Sequence, residues 1–125
     1  MIAADTSTWV AYLQGEAGED VRLLDETLQN RQVVMVLVVL TELFSDPKLP
    51  ANVAKLLGEI PQMEIETGFW ERAGVLRANM LAKRRKARLG DALIAQSCVD
   101  RGAALITRDK DFEVFAQGTG LKILP

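Results

Sequence analysis

Apolar residues recur along this chain in two rhythms, and their alternation predicts short strands separated by helices. Met1 to Ala4 is a brief apolar segment ending at Asp5, after which Thr6 and Ser7 offer N-cap hydroxyls and Trp9, Val10 and Leu13 share a helical face. Gly15 and Gly18 interrupt that helix, and Glu19-Asp20 opens another with Val21, Leu24 and Leu28 at helical spacing, closed by Asn30-Arg31. Val33 to Val36 is an unbroken apolar run rich in valine, as expected of a strand buried on both faces in a parallel sheet. A helix from about Val38 to Ser45 should follow, and Pro47 and Pro50 then force a loop.

Asn52 is the expected cap of a helix carrying Val53, Leu56, Leu57 and Ile60, and Met63-Glu64-Ile65-Glu66 alternates like a half-exposed strand. The longest helix comes next: Phe69, Ala73, Leu76 and Met80 form its packing face, while Arg72, Arg77 and Lys83 point elsewhere. Leu89 to Arg101 forms a further helix stopped by Gly102, before strands at Ala103 to Thr107 and Leu121 to Leu124. Strands alternating with helices predict a three-layer α/β sandwich around a mostly parallel sheet. With 125 residues, 49% of them hydrophobic, the chain is sized for one domain, residues 1–125, with a substantial core.

The remaining composition narrows the chemistry. There is no histidine, which removes Ser-His and Cys-His mechanisms, histidine zinc sites and the commonest general base. Cys98 is the only cysteine, so no internal disulfide forms and a reducing cytosolic setting fits. The N-terminus lacks a signal-peptide pattern and no apolar run approaches the roughly 20 residues of a spanning helix, so the expected location is cytoplasmic. Net charge is −2, from 15 basic and 17 acidic residues, so any attraction for a polyanion has to be local.

Several acids sit where packing would not put them. Asp5 directly follows the first strand; Glu42 lies among Val39, Leu40, Leu43 and Phe44; Asp91 shares a helical face with Ile94, Ala95 and Cys98. Asp109 and Asp111 follow the strand ending at Thr107, and in open α/β sheets ligands bind at that carboxyl edge. Carboxylates converging at about 4 Å repel by roughly 4 kcal/mol per pair at an effective dielectric near 20, so a cation should sit among them. Magnesium or another hard ion suits oxygen ligands, and it serves phosphodiester hydrolysis without histidine. Each acid alone has an ordinary alternative: Asp5 as a helix N-cap, Glu42 as a solvated helical residue, Asp91 as a first-turn acid, Asp109 and Asp111 as turn residues. Only their joint pattern points to a site.

Lys83, Arg84, Arg85, Lys86 and Arg88 concentrate positive charge just ahead of Asp91, suited to a phosphate backbone or, alternatively, to a solvated helix end. Trp9 and Trp70 lie on apolar faces, where core or interface packing is the expected role ahead of base stacking.

The segments Asp5-Thr6-Ser7-Thr8-Trp9-Val10-Ala11-Tyr12-Leu13, Leu40-Thr41-Glu42-Leu43, Leu89-Gly90-Asp91-Ala92-Leu93-Ile94-Ala95 and Thr107-Arg108-Asp109-Lys110-Asp111-Phe112 resemble a PIN domain. More narrowly, they resemble the VapC-type toxins of bacterial toxin-antitoxin pairs, in order and over nearly the whole chain. The resemblance implies a five-stranded parallel sheet of order 3-2-1-4-5 and an acidic site that binds Mg2+ or Mn2+ to cleave RNA. It makes Asp5, Glu42, Asp91 and Asp109 the catalytic acids, with Asp5, Asp91 and Asp109 on the metal. Glu42 either shares the ion or positions and deprotonates the attacking water. Asp111 is a possible additional acid, and Thr6 and Thr107 are hydroxyls near the metal. A homodimer and a cognate antitoxin that blocks the acidic groove are implied as well. Leu37 stands where many relatives have proline, which bears on where that helix begins. Two rivals remain: an aspartyl phosphatase or phosphoacceptor, although Ser7 occupies the place of the phosphatase's second aspartate, and a degenerate PIN scaffold that binds RNA or protein without cutting.

Overall fold

A computed structural model describes all 125 residues. Three short strands, β1 (Ile2–Ala4), β2 (Ala104–Ile106) and β3 (Ile123–Leu124), pair in parallel in the order β1-β2-β3. Ala4 stands opposite Ile106, and Ile106 opposite Leu124. On the other side of β1 the sheet continues only as single parallel bridges, Ile2 to Val33 and Met35 to Gln62.

The helices are α1 (Thr6–Leu13), α2 (Glu19–Gln29), α3 (Leu37–Phe44), α4 (Ala51–Glu59), α5 (Phe69–Ala82), α6 (Leu89–Arg101) and α7 (Glu113–Thr119). A 3-10 turn over Lys110–Phe112 leads into α7. None of these helices is long and apolar enough to cross a membrane. The predicted packing face of α5 is correct: Phe69, Ala73, Leu76 and Met80 are all buried. Gly102 ends α6 in the left-handed conformation with its N–H turned back to the helix carbonyls.

Four expectations need correcting. Val33 to Val36 is not a regular strand: Val36 already serves as the residue before α3, so the chain leaves the sheet after Met35. Its apolar character reflects burial of Val33, Met35 and Val36, and burial alone does not distinguish a strand from an extended lead-in. Met63 to Glu66 likewise forms no strand, since pairing stops at Gln62 and Ile65 is exposed. Helix α4 starts at Ala51, behind Pro50 with its fixed φ of −63°, so Asn52 is inside the helix and caps nothing. Trp70 lies on the surface, 59% exposed and edge-on to Phe69, whereas Trp9 is fully buried. The hydrophobic pattern does not predict the 3-10 turn or α7, which the buried Phe112 and Phe115 anchor.

One contiguous cluster of 25 buried residues joins sheet and helices, with Trp9, Met35, Leu57, Leu105 and Phe115 among its fully enclosed members. Leu105 is in the middle of the central strand β2. Leu105→Ala should cost about 2 to 5 kcal/mol, the usual range when a fully packed leucine is truncated. The urea midpoint should fall accordingly with the slope unchanged; a loss below about 1 kcal/mol would contradict this core assignment.

Candidate active site

The site begins where β1 and β2 end side by side. The Asp5 N–H donates to Ile106 O at 3.1 Å, one residue beyond the paired strands. Chain order reverses at β1, which faces Val33 on one side and β2 on the other, and in open α/β sheets the crevice outside the carboxyl end of such a strand is where ligands bind. Asp5 is 3% exposed. Its Oδ1 accepts from the Thr8 backbone N–H at 3.1 Å, capping α1, and Ser7 Oγ lies 3.0 and 2.9 Å from the two oxygens. Thr107 Oγ1 donates to Asp5 Oδ2 at 2.8 Å and accepts from the Asp109 N–H at 2.9 Å. Burial pushes the Asp5 carboxyl above its ordinary value, against the opposing pull of these hydrogen bonds. Asp5 is therefore an N-cap, and its geometry does not stop there.

Helix α3 carries Glu42 to the same edge, where Thr6 Oγ1 donates to Glu42 Oε1 at 2.7 Å. The other oxygen, Oε2, faces Gly90, where a Cβ would stand 3.7 Å away. Asp91 occupies the first turn of α6, half-buried. Asp109 caps the 3-10 turn by accepting from the Asp111 N–H at 2.9 Å. Asp91, Asp109 and Asp111 each bring a carboxylate oxygen within 4.8 Å of the others. Asp5 and Glu42 stand outside that triplet, yet both act on Asp91 through space.

The Asp91 carboxyl is raised to about 6, first by burial and then by the negative charge of Asp109, with Asp5 and Glu42 adding and Arg88 opposing. Four acids from four separate elements thus share one electrostatic field. The donors are all oxygen; Cys98 is buried in the core, its thiol pushed up to about 12. This donor set fits a hard divalent cation.

The basic residues divide. Lys86 Nζ pairs with Asp111 at 3.0 Å, and Arg88 is close enough to oppose the charge of Asp91. Lys83 ends α5, and with Arg85 it lines a hollow against Val114 and Gln117 of α7 that none of the site acids lines. Arg84 takes a left-handed turn at φ 57° with an exposed side chain. An apolar hollow lined by Val10, Leu13, Leu43 and Val53 opens beside Glu42.

Ser7, Thr8, Asp20 and Arg108 also belong to the network around the acids, although their sequence positions mark them only as helix-start or motif residues. Asp20 reads as a helix-opening acid, yet it is 5% exposed and accepts from Thr8 Oγ1 at 2.9 Å and Arg108 Nε at 2.8 Å. Burial would raise its carboxyl, but Arg108 and Thr8 hold it below the ordinary range. No spacing rule links position 20 to position 108; only the folded sheet does.

The family model described as PIN domain matches residues 2–118. This chain belongs to the PIN domain family. Ribonuclease VapC11 of Mycobacterium tuberculosis is 30% identical to this PIN domain over 131 aligned residues, covering 98% of this chain and 96% of that protein. Among solved structures, VapBC2 from Rickettsia felis, bound to a DNA fragment from its promoter, superposes with a TM-score of 0.75 at 21% identity, covering 99% and 98% of the two chains. A toxin-antitoxin complex from Klebsiella pneumoniae gives 0.70 at 20% identity, covering 100% and 97%. These likenesses establish the α/β fold of the PIN domain.

The raised Asp91 gives the PIN domain a pH signature. The folded state holds the Asp91 proton more tightly than the unfolded chain does, so this group's contribution favours folding below about pH 4 and is lost as pH rises through about 6. Asp91→Asn should therefore leave metal-free thermal stability almost unchanged near pH 4 and raise it near pH 7. An Asn variant less stable than the parent at pH 7 without metal would contradict the like-charge crowding described.

Proposed function

We propose that this PIN domain is a metal-dependent endoribonuclease that hydrolyses RNA phosphodiester bonds and acts as the toxin of a toxin-antitoxin pair. The observation that carries the reading is the convergence of Asp5, Glu42, Asp91 and Asp109 on one crevice, in a relative of a VapC ribonuclease. Asp5, Asp91 and Asp109 would hold Mg2+ or Mn2+, with Asp111 as an additional acid once Lys86 releases it. A divalent ion in this position supplies charge stabilisation for the phosphodiester and acidifies water. The chain's own residues do the rest. Thr107 ties Asp5 to the Asp109 backbone, and Thr6 orients Glu42 so that Oε2 is available to take a proton from the attacking water. Lys86 and Arg88, the two basic residues beside the acids, would draw the phosphate backbone in.

The toxin assignment draws on the toxin-antitoxin complexes that share the fold. The apolar hollow beside Glu42 suits a partner segment lying over the acids. A cytoplasmic homodimer of single-domain protomers accords with this reading. The bridges at Val33 and Gln62 support a sheet of five strands in the order 3-2-1-4-5, extended beyond its three regular members, in a three-layer α/β/α arrangement.

Purified protein incubated with a mixed pool of structured RNAs in Mg2+ or Mn2+ should produce new discrete ends that chelator abolishes. Asp5→Asn, folded as judged by circular dichroism, should lower cleavage by at least about a hundredfold, the scale on which removing a group that acts in the transition state slows an enzyme. Cleavage that survives both chelator and Asp5→Asn would sink the proposal. Binding of RNA with no cut under either metal would favour a non-catalytic scaffold.

A further inference from the structure

Beneath the acids, the contacts that hold Asp5 continue into a closed ring through Asp20 and Arg108, two residues that the proposed reaction does not use. Arg108 grips Asp20 with two nitrogens, Nε to Oδ2 at 2.8 Å and Nη2 to Oδ1 at 3.1 Å. Asp20 Oδ2 also accepts from Thr8 Oγ1 at 2.9 Å, while the Thr8 N–H donates to Asp5 Oδ1 at 3.1 Å. Asp5 Oδ2 accepts from Thr107, and Thr107 is the chain neighbour of Arg108, which closes the ring. Arg108 further donates to Ala17 O at 3.2 Å and lies 3.6 Å from Glu16 Oε1.

The fold makes room for this pair. Gly18, just before α2, has φ of 154°, and a Cβ there would fall 2.5 Å from Asp20 Oδ1 and 2.8 Å from Arg108 Nη2. A bidentate guanidinium-carboxylate contact fixes orientation as well as distance, and the Asp20 side chain is only 6% exposed.

We propose that the Asp20–Arg108 pair is a positioning device that fixes Asp5 and Asp109 relative to one another and so sets the affinity of the acidic crevice for a divalent cation. It rests on the metal-dependent reading above. Neither residue is among the acids that converge on Asp91. The pair ties the start of α2 to the segment after β2, and through Thr8 and Thr107 it reaches both oxygens of Asp5. Groups that orient a metal's carboxylates from behind typically change metal affinity about 10- to 100-fold when removed.

The sign of the effect separates this role from a simple field effect. Arg108 is a cation whose charge reaches Asp5, so as a point charge it repels a metal ion. Removing it would then tighten binding; removing a brace loosens it. Mn2+ affinity, read from the electron paramagnetic resonance signal of free Mn2+, should fall about tenfold in Arg108→Gln and less in Arg108→Lys. Asp20→Asn combined with Arg108→Gln should lose no more than the weaker single variant, because both break one contact. Affinity for RNA in chelator should not change. If Arg108→Gln does not fold, Thr8→Val removes the hydroxyl to Asp20 at nearly constant volume, keeps the N–H to Asp5, and should weaken Mn2+ severalfold.

Mn2+ binding as tight as the parent's, or tighter, in Arg108→Gln would overturn the proposal, as would a loss confined to RNA binding in chelator. A parent protein with no saturable Mn2+ binding would remove the metal reading and this inference together. Unchanged variants beside a parent that binds Mn2+ would remove the inference alone.

Discussion

Asp5 is a nearly water-free carboxylate at the end of a buried strand, and the rest of the site is organised around keeping it there. An unpaired charge in such a place costs far more than a domain of marginal stability tolerates, unless hydrogen bonds replace its water. Here they come from the Thr8 N–H at the start of α1, from Ser7 and from Thr107. The first two are local, arising because the chain turns directly from β1 into α1. The third exists only because β1 and β2 run parallel in a register that sets Ala4 against Ile106. Sheet register, helix start and carboxylate solvation are therefore one constraint.

Given that constraint, the other acids accumulate charge in a place that cannot dissipate it. Helices α3 and α6 deliver Glu42 and Asp91 to the edge where Asp5 and Asp109 already stand. Lys86 offsets one carboxylate, Asp111, and Arg88 acts on Asp91. Local neutralisation is thus incomplete. Unbalanced carboxylates gathered at the carboxyl edge of a parallel sheet, with only oxygen donors, make a ligand set whose chemistry suits a hard cation.

Much of this was legible in the sequence, and the limits have physical reasons. Asp5, Glu42 and Asp91 stood out because each is embedded in apolar sequence, Asp109 because it follows a strand at its carboxyl end, and it was the motif resemblance that joined the four into one site. The frames of α1, α2, α5 and α6 followed from helical periodicity and from Gly102. The valine-rich run before α3 misled because an apolar segment that is merely buried looks the same as a buried strand. Glu64 and Glu66 suggested an alternation that no sheet partner supports beyond Gln62. Asp20 was hidden for a different reason. Its partner Arg108 is 88 residues away, and a first-turn acid on an amphipathic helix usually faces water. The basic segment read as a unit, but the folded chain splits it: Lys86 and Arg88 turn to the acids while Lys83 and Arg85 turn to α7.

Carboxylates from separate elements, the buried Asp5 included, would act on a cation as one site. A crystal soaked in Mn2+ and measured at a wavelength where manganese scatters anomalously tests it most directly. An anomalous peak is expected in the crevice, coordinated by Asp5 together with Asp91 and Asp109. A peak held only by Asp91, Asp109 and Asp111 with Asp5 still capped and uncoordinated, or no peak in the crevice at saturating Mn2+, would contradict it.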